Sequence, residues 1–207
     1  MKHAKYLFVT ALVSVLASCA TVGGGAYDTP GTDSGCVVIA VGANGDVDQG
    51  THSLNIRSLD KSVNTLAYYR ESENVPVEQS FADREARGVV RTLFLPPGQY
   101  EIFNFKTFVN GYPSTTTFGP EKDISIRFSV EKKETTYVGE YLVNPVRRKS
   151  LWGRMVLVGT FLTVSDQQDR DLRIANAKTS LAQCGKVSKN VVDPSGAGSP
   201  LVRARAN

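Results

Sequence analysis

Ile124-Ser125-Ile126-Arg127-Phe128-Ser129-Val130 alternates apolar and polar residues without a break. In an extended chain successive side chains point to opposite faces. Ile124, Ile126, Phe128 and Val130 then share one face, and Ser125, Arg127 and Ser129 the other. A helix would scatter the same residues around its axis. The stretch reads as a strand with one face in a core and one in water, the pattern of antiparallel sheets packed on one side.

The same reading extends in both directions. Val37 to Val41 is a continuous apolar run, suited to a strand buried on both faces. Asn44-Gly45 marks a turn. Leu54 and Ile56 stand two apart and share a face, with Ser53, Asn55 and Arg57 opposite, and Val63 to Tyr69 gives a third strand. Residues 70–87 carry Arg70, Glu71, Glu73, Glu78, Asp83, Arg84, Glu85 and Arg87, and read as a long exposed loop. Val89 to Leu95, the turn Pro96-Pro97-Gly98 and Tyr100 to Phe108 read as a hairpin. Asn110-Gly111 opens a further loop. Thr135 to Val143 and Met155 to Val164 complete the strands. Ser165 and Gln168 stand in capping-box spacing with Asp166 in the first turn, and Leu172, Ala175 and Thr179 continue as a helical stripe. The expected fold class is mainly β: an antiparallel β-sandwich of about seven to eight strands with one C-terminal helix.

The amino terminus has a different character. Lys2 and Lys5 precede an apolar run from Tyr6 to Leu16, 11 residues long, whereas a membrane-spanning helix needs about 20. Leu16-Ala17-Ser18-Cys19 follows. This pattern resembles the lipobox of bacterial lipoproteins. The resemblance implies cleavage between Ser18 and Cys19, a thioether-linked diacylglycerol on Cys19 and acylation of the new amino terminus. An ordinary secretory leader is the alternative. The implied localisation is the cell envelope, lipid-anchored. Ala20 after the cysteine implies the outer membrane if the host is Gram-negative. Residues 20–34, rich in Gly, Thr and Asp, read as a flexible tether with a stretched length of about 50 Å. The expected organisation is a signal peptide over 1–18, a lipidated tether over 19–34, the β domain over 35–192 and a frayed tail over 193–207, where Pro194, Gly196, Gly198 and Pro200 cluster.

The chain has 24 basic and 20 acidic residues. The leader holds two of the basic ones and no acid, so the mature protein is 22 against 20. That balance gives no argument for nucleic-acid binding. With Cys19 used by lipid, Cys36 and Cys184 remain. An oxidising compartment lets them pair, joining the first strand to the segment after the helix. Two buried free thiols are the alternative. Two cysteines and His52 do not make a tetrahedral metal set.

Leu95-Pro96-Pro97-Gly98-Gln99-Tyr100-Glu101-Ile102 resembles a hairpin of prealbumin-like β-sandwich modules found in uncharacterised bacterial lipoproteins. Thr136-Tyr137-Val138-Gly139 and Asp169-Arg170-Asp171-Leu172 are similar to elements of the same proteins. The resemblance implies the fold and says little about activity.

Catalytic signatures are absent. No G-x-S-x-G, H-E-x-x-H, P-loop or dinucleotide fingerprint occurs. His52 reads as an exposed or half-buried strand residue. Asp169 and Asp171 read as first-turn acids complementing the helix dipole. No catalytic residue, metal or cofactor is expected, and the chain reads as a non-enzyme. One stretch has no role in that scheme: Arg147, Arg148, Lys149 and Arg154 surround Trp152, the only tryptophan. Indole beside cations suits a membrane–water interface or an anionic glycan or protein. The alternative is a solvated loop with Trp152 tucked against the sandwich. Residues 70–87 and 109–122, with Tyr112 and Phe118, are further candidate recognition loops. The expected function is a lipid-anchored, non-enzymatic interaction or structural module that faces the periplasm and meets an envelope protein or the cell wall. A glycan- or small-ligand-binding module is the alternative.

Overall fold

The structure, a computed structural model, describes residues 27–44, 50–71, 79–83, 85–110, 115–179 and 181–205. The leader, Ser18, Cys19 and Tyr112 lie outside the described residues. In chain order the strands are β1 (Gly35–Asn44), β2 (Gly50–Ser58), β3 (Asn64–Arg70), β4 (Phe81–Ala82), β5 (Ala86–Leu95), β6 (Gly98–Asn110), β7 (Thr115–Phe118), β8 (Ile126–Val130), β9 (Thr135–Lys149), β10 (Met155–Ser165), β11 (Val187–Lys189) and β12 (Val202–Ala204), with helix α1 (Gln168–Lys178) after β10. They form a two-sheet sandwich. One sheet runs β12-β10-β9-β1-β5-β4, with β11 beside the start of β9; the other runs β3-β2-β6-β7, with β8 also on β6.

Alternation decides which side chains fill the core. Val37, Ile39 and Val41 of β1 point between the sheets, where they meet Leu54, Ile56, Phe105, Ile126, Phe128 and Val130. Cys36, Val38 and Ala40 point the other way, into a second core under α1 with Val90, Phe94, Tyr137, Ala175 and Leu181. The first strand is thus buried on both faces, and Ile124 to Val130 points its apolar set inward as its alternation requires. The molecule is layered sheet on sheet on helix.

Several local readings are corrected. Pro96-Pro97 is not a hairpin turn: β5 pairs with β1 in one sheet and β6 with β2 in the other. Proline lacks the N–H that a ladder needs, so the pair ends one sheet and turns the chain into the next. Tyr100 pins this corner, its hydroxyl donating to the Pro96 carbonyl at 2.8 Å. The sandwich is also not wholly antiparallel. β9 runs parallel to β1, β11 to β9 and β12 to β10, because β1 and β9 both begin at one pole. The expected loop over 109–122 contains β7, and the loop over 70–87 contains β4 with Phe81 buried. His52 is completely buried rather than exposed or half-buried.

The tail over 193–207 is ordered through Arg205. Pro194–Ala197 forms a 3₁₀ turn, β12 pairs with β10, and Val202 enters the main core. Residues 27–34 are likewise part of the domain: the Phe94 amide donates to the Tyr27 carbonyl at 2.8 Å, on the edge of β5. The helix start differs as well. Ser165 Oγ donates to Glu140 at 2.7 Å instead of capping, and the Gln167 amide donates to the Tyr137 hydroxyl at 2.9 Å.

Candidate functional site

The register of β9 creates two features. The first is a buried clasp. Between Val38 and Ile39 of β1 the pairing slips by one residue, and Gly139 supplies the positive φ of 112° that the bulge uses. Before the bulge Thr136 and Val138 face the sheet–sheet core; after it Tyr141 and Val143 do. Tyr137 and Glu140 therefore both face α1. There Arg170 Nη2 donates to Glu140 at 2.6 Å and Nε to Asp171 at 2.8 Å, while the Tyr137 hydroxyl donates to Asp171 at 2.9 Å. From the tail, Arg205 donates to Glu140 and to Glu85, both at 2.9 Å. The Arg170 guanidinium lies 4.0 Å from the centre of the Phe81 ring. Burial pushes the Asp171 carboxyl up to about 6, against the opposing pull of Arg170 and the tyrosine hydroxyl. Both carboxylates are completely buried. With both carboxylates engaged and closed to solvent, the clasp holds helix, sheet and tail together. Asp171 is thus the first-turn acid that the sequence predicts, and it is also a buried strut.

The second feature is an arm. β1 pairs with β9 only as far as Val143, but β9 continues to Lys149 and returns as β10. From Asn144 outward the two strands form a ribbon of roughly 20 Å with no third strand among the described residues. The ribbon turns at Ser150–Arg154. The Gly153 amide donates to the Ser150 carbonyl at 2.9 Å, the Ser150 amide to the Arg154 carbonyl at 2.7 Å, and Gly153 has φ 74°. This is a type I turn with a glycine bulge, and Leu151 and Trp152 occupy its two central positions. Such positions favour small polar residues. Here Leu151 is fully exposed and Trp152 90% exposed, so the tryptophan is not tucked against the sandwich.

Directly opposed residues share a face of the ribbon. Arg148 stands opposite Val156, while Arg147 and Lys149 stand opposite Leu157 and Met155 on the other face. Val146, Met155, Val156 and Val158 are exposed as well. Cations and apolar groups thus alternate over both faces and meet at an aromatic tip. No Asp or Glu occurs between Glu140 and Asp166. The structure therefore assembles Arg147, Arg148, Lys149, Trp152 and Arg154 in one projecting element. Among the described candidate loop residues, Phe118 is only partly exposed, on β7 in the other sheet.

Cys36 and Cys184 are joined as a disulfide, with α-carbons 5.9 Å apart. A hollow of about 360 Å³ lies at the opposite pole from the arm, lined by Tyr27, Phe94, Pro96 and Pro97 among others. Among the described residues no cluster of His, Cys, Asp or Glu could hold a metal ion, and no helix is long and apolar enough to cross a membrane. The clasp and the tip exposure both escaped sequence reading. The signal for the tip was Ser-Leu-Trp-Gly itself: a turn with glycine at its left-handed position and two large apolar residues at its centre.

No family model matches this chain, and no curated protein does. Among solved structures, a leucine-rich repeat protein from Bacteroides thetaiotaomicron VPI-5482 is similar over 52% of this chain at 11% identity and a TM-score of 0.33. The match spans only 13% of that protein's length. A likeness of this degree carries no argument about fold or function.

Proposed function

We propose that the protein is a lipid-anchored envelope module without enzymatic activity, held by Cys19 and making contact through the β9–β10 arm. The exposure of Leu151 and Trp152 at the centre of a turn carries the reading. Two large apolar side chains stand in water on a ribbon that contributes little to the core, and no described residue covers them. Exposed apolar groups of this kind, ringed by positive charge, mark contact surfaces. The lipobox resemblance supports the anchor, and the disulfide agrees with an oxidising compartment. Intact-mass analysis of the native protein should find diacylglycerol on Cys19; an unmodified cysteine overturns the anchor. A photo-crosslinker at Leu151 in living cells should capture envelope components, whereas one at exposed Leu59 in the β2–β3 turn should not. Equal capture at both positions overturns the arm as the contact site.

The hollow beside Tyr27 and Phe94 favours a second reading, a small-ligand or glycan module, since an aromatic flanked by prolines suits a sugar face. A melting shift with oligosaccharides that is lost in Tyr27→Ala would support it.

A further inference from the structure

We infer that the arm is a wedge for an anionic lipid surface, and that this surface is the leaflet holding the anchor. The inference rests on the proposed lipid anchor for the choice of leaflet, but not for the chemistry of the tip. The tip is convex and narrow, two apolar side chains wide, with four cations within a few residues and no acid for twenty-five. A convex protein tip has to find a fitted groove on a protein partner, whereas a bilayer interface accepts it without one. Indole settles at headgroup depth and Arg and Lys hold phosphates. A second copy is disfavoured, since pairing two arms would bring eight cations together.

Chain length then selects the leaflet and the orientation. The Tyr27 end packs at the pole where β1 and β9 begin, beside Phe94. β9 runs from that pole to Lys149 over 15 residues, about 46 Å at 3.3 Å per residue. Eight residue steps separate Tyr27 from Cys19, which reach at most about 29 Å. That is well short of the stretched length a tether from residue 34 would have had. The arm therefore cannot stand end-on in the anchor's own leaflet, because the opposite pole would be lifted beyond the tether's reach. It can meet that leaflet when the domain lies along the surface. Anchoring holds the arm at a high effective concentration over its own leaflet, which no distant surface matches. The lipid and the arm then act as two points of attachment at opposite poles.

Trp152 is the only tryptophan, so its emission reports the tip alone. The chain from Ala20 to Asn207, which holds every described element and no lipid acceptor, would be mixed with phosphatidylcholine vesicles with and without phosphatidylglycerol. The inference expects a blue shift and quenching by brominated lipid on the anionic vesicles only, weakening with salt. Replacing Arg147, Arg148, Lys149 and Arg154 by Gln should reduce cosedimentation by roughly a hundredfold or more, with the melting temperature unchanged. Leu151→Ser should reduce it as well while leaving the reporter in place. An unshifted spectrum of the folded protein on anionic vesicles overturns the wedge, and a shift produced instead by an acidic peptide assigns the arm to a protein partner. The native lipidated protein, reconstituted in vesicles, should show Trp152 quenched by brominated lipid in its own bilayer without clustering of vesicles. Clustering overturns the single-leaflet arrangement. Because the first measurement needs no lipid on Cys19, loss of the anchor and loss of the wedge are separate results.

Discussion

His52 and Asp171 are two buried ionisable groups that pull stability in opposite directions over the same pH range. Burial first, and the nearby Arg87 charge second, push the imidazole of His52 down to about 4. Its Nδ1 lies 3.3 Å from the Thr107 hydroxyl, and its Nε2 finds no partner among the described residues. The unfolded chain binds a proton at His52 that the native state refuses, so this group adds stability as pH rises from about 4 to 6.5. Asp171 does the reverse. With its folded value raised to about 6, the native state keeps a proton that the unfolded chain has lost, and stability falls from about pH 4 to 6. The two slopes nearly cancel in the wild type. Relative to it, His52→Gln should lose about 2 kcal/mol between pH 4.5 and 6, and Asp171→Asn should gain a similar amount. Urea midpoints at half-unit steps would show the two variants diverging; parallel profiles would refute the assignment. Gly139 is a third residue with a large local effect. Its φ of 112° is strained for any side chain, and a methyl group there would meet the Ser165 carbonyl and Val191 at 3.4 Å. Gly139→Ala should cost about 1–3 kcal/mol in the same measurement and loosen the clasp that the bulge aligns.

At the scale of elements, the arm and the last strand make opposite predictions. The arm ribbon lies beyond the sheet–sheet core, and its tip is exposed. Exchanging Leu151 and Trp152 for serine should leave stability within about 0.5 kcal/mol, measured by thermal unfolding followed by circular dichroism. A larger loss would mean that the tip packs on the domain. β12 is only three residues long, yet Val202 fills the main core and Arg205 reaches the buried Glu140 carboxylate. Removing Ser199–Asn207 uncovers the edge of β10 and strips one of the two guanidinium partners from a completely buried charge. Losing one partner of a buried pair costs about 3–5 kcal/mol. Arg205→Ala alone should therefore destabilise strongly, while Arg203→Ala, on an exposed neighbour stacked over Phe161, should cost under about 1 kcal/mol. Equal effects would show that the clasp contributes no more than the surface contact.

For the molecule as a whole, the sequence exposed faces more readily than partners. Period-two alternation at Ile124–Val130 and the unbroken run at Val37–Val41 state which side chains need burial, and the core contains them. Alternation carries no information about which strand lies alongside. Pro96-Pro97 has the same local signature in a hairpin as in a corner between sheets, and the parallel pairing of β1 with β9 depends on residues a hundred apart. The tail reads as frayed by composition because its order comes from distant partners: the β12–β10 ladder, Ala197 and Val202 in the main core, and the ion pairs of Arg205 with Glu140 and Glu85. The cation cluster around Trp152 was visible, but its exposure follows from β9 outrunning β1, a difference in strand length that no local window contains. The disulfide is a long-range constraint that the sequence offered beside the alternative of two free thiols. Cys36 sits on the central strand and Cys184 in the 3₁₀ turn after α1, 148 residues apart. Closing so long a loop removes unfolded-state entropy worth up to about 5 kcal/mol. Cys36→Ser with Cys184→Ser, compared with the oxidised protein in guanidinium, should show most of that loss, since the bond also clamps the helical layer onto the sheet. The arm lies beyond β1's last pairing with β9 and depends on neither cysteine, so Trp152 emission in the native baseline should be the same in both proteins. A shifted baseline would mean that the helical layer and the ribbon are coupled through β9, and that the two poles do not behave independently.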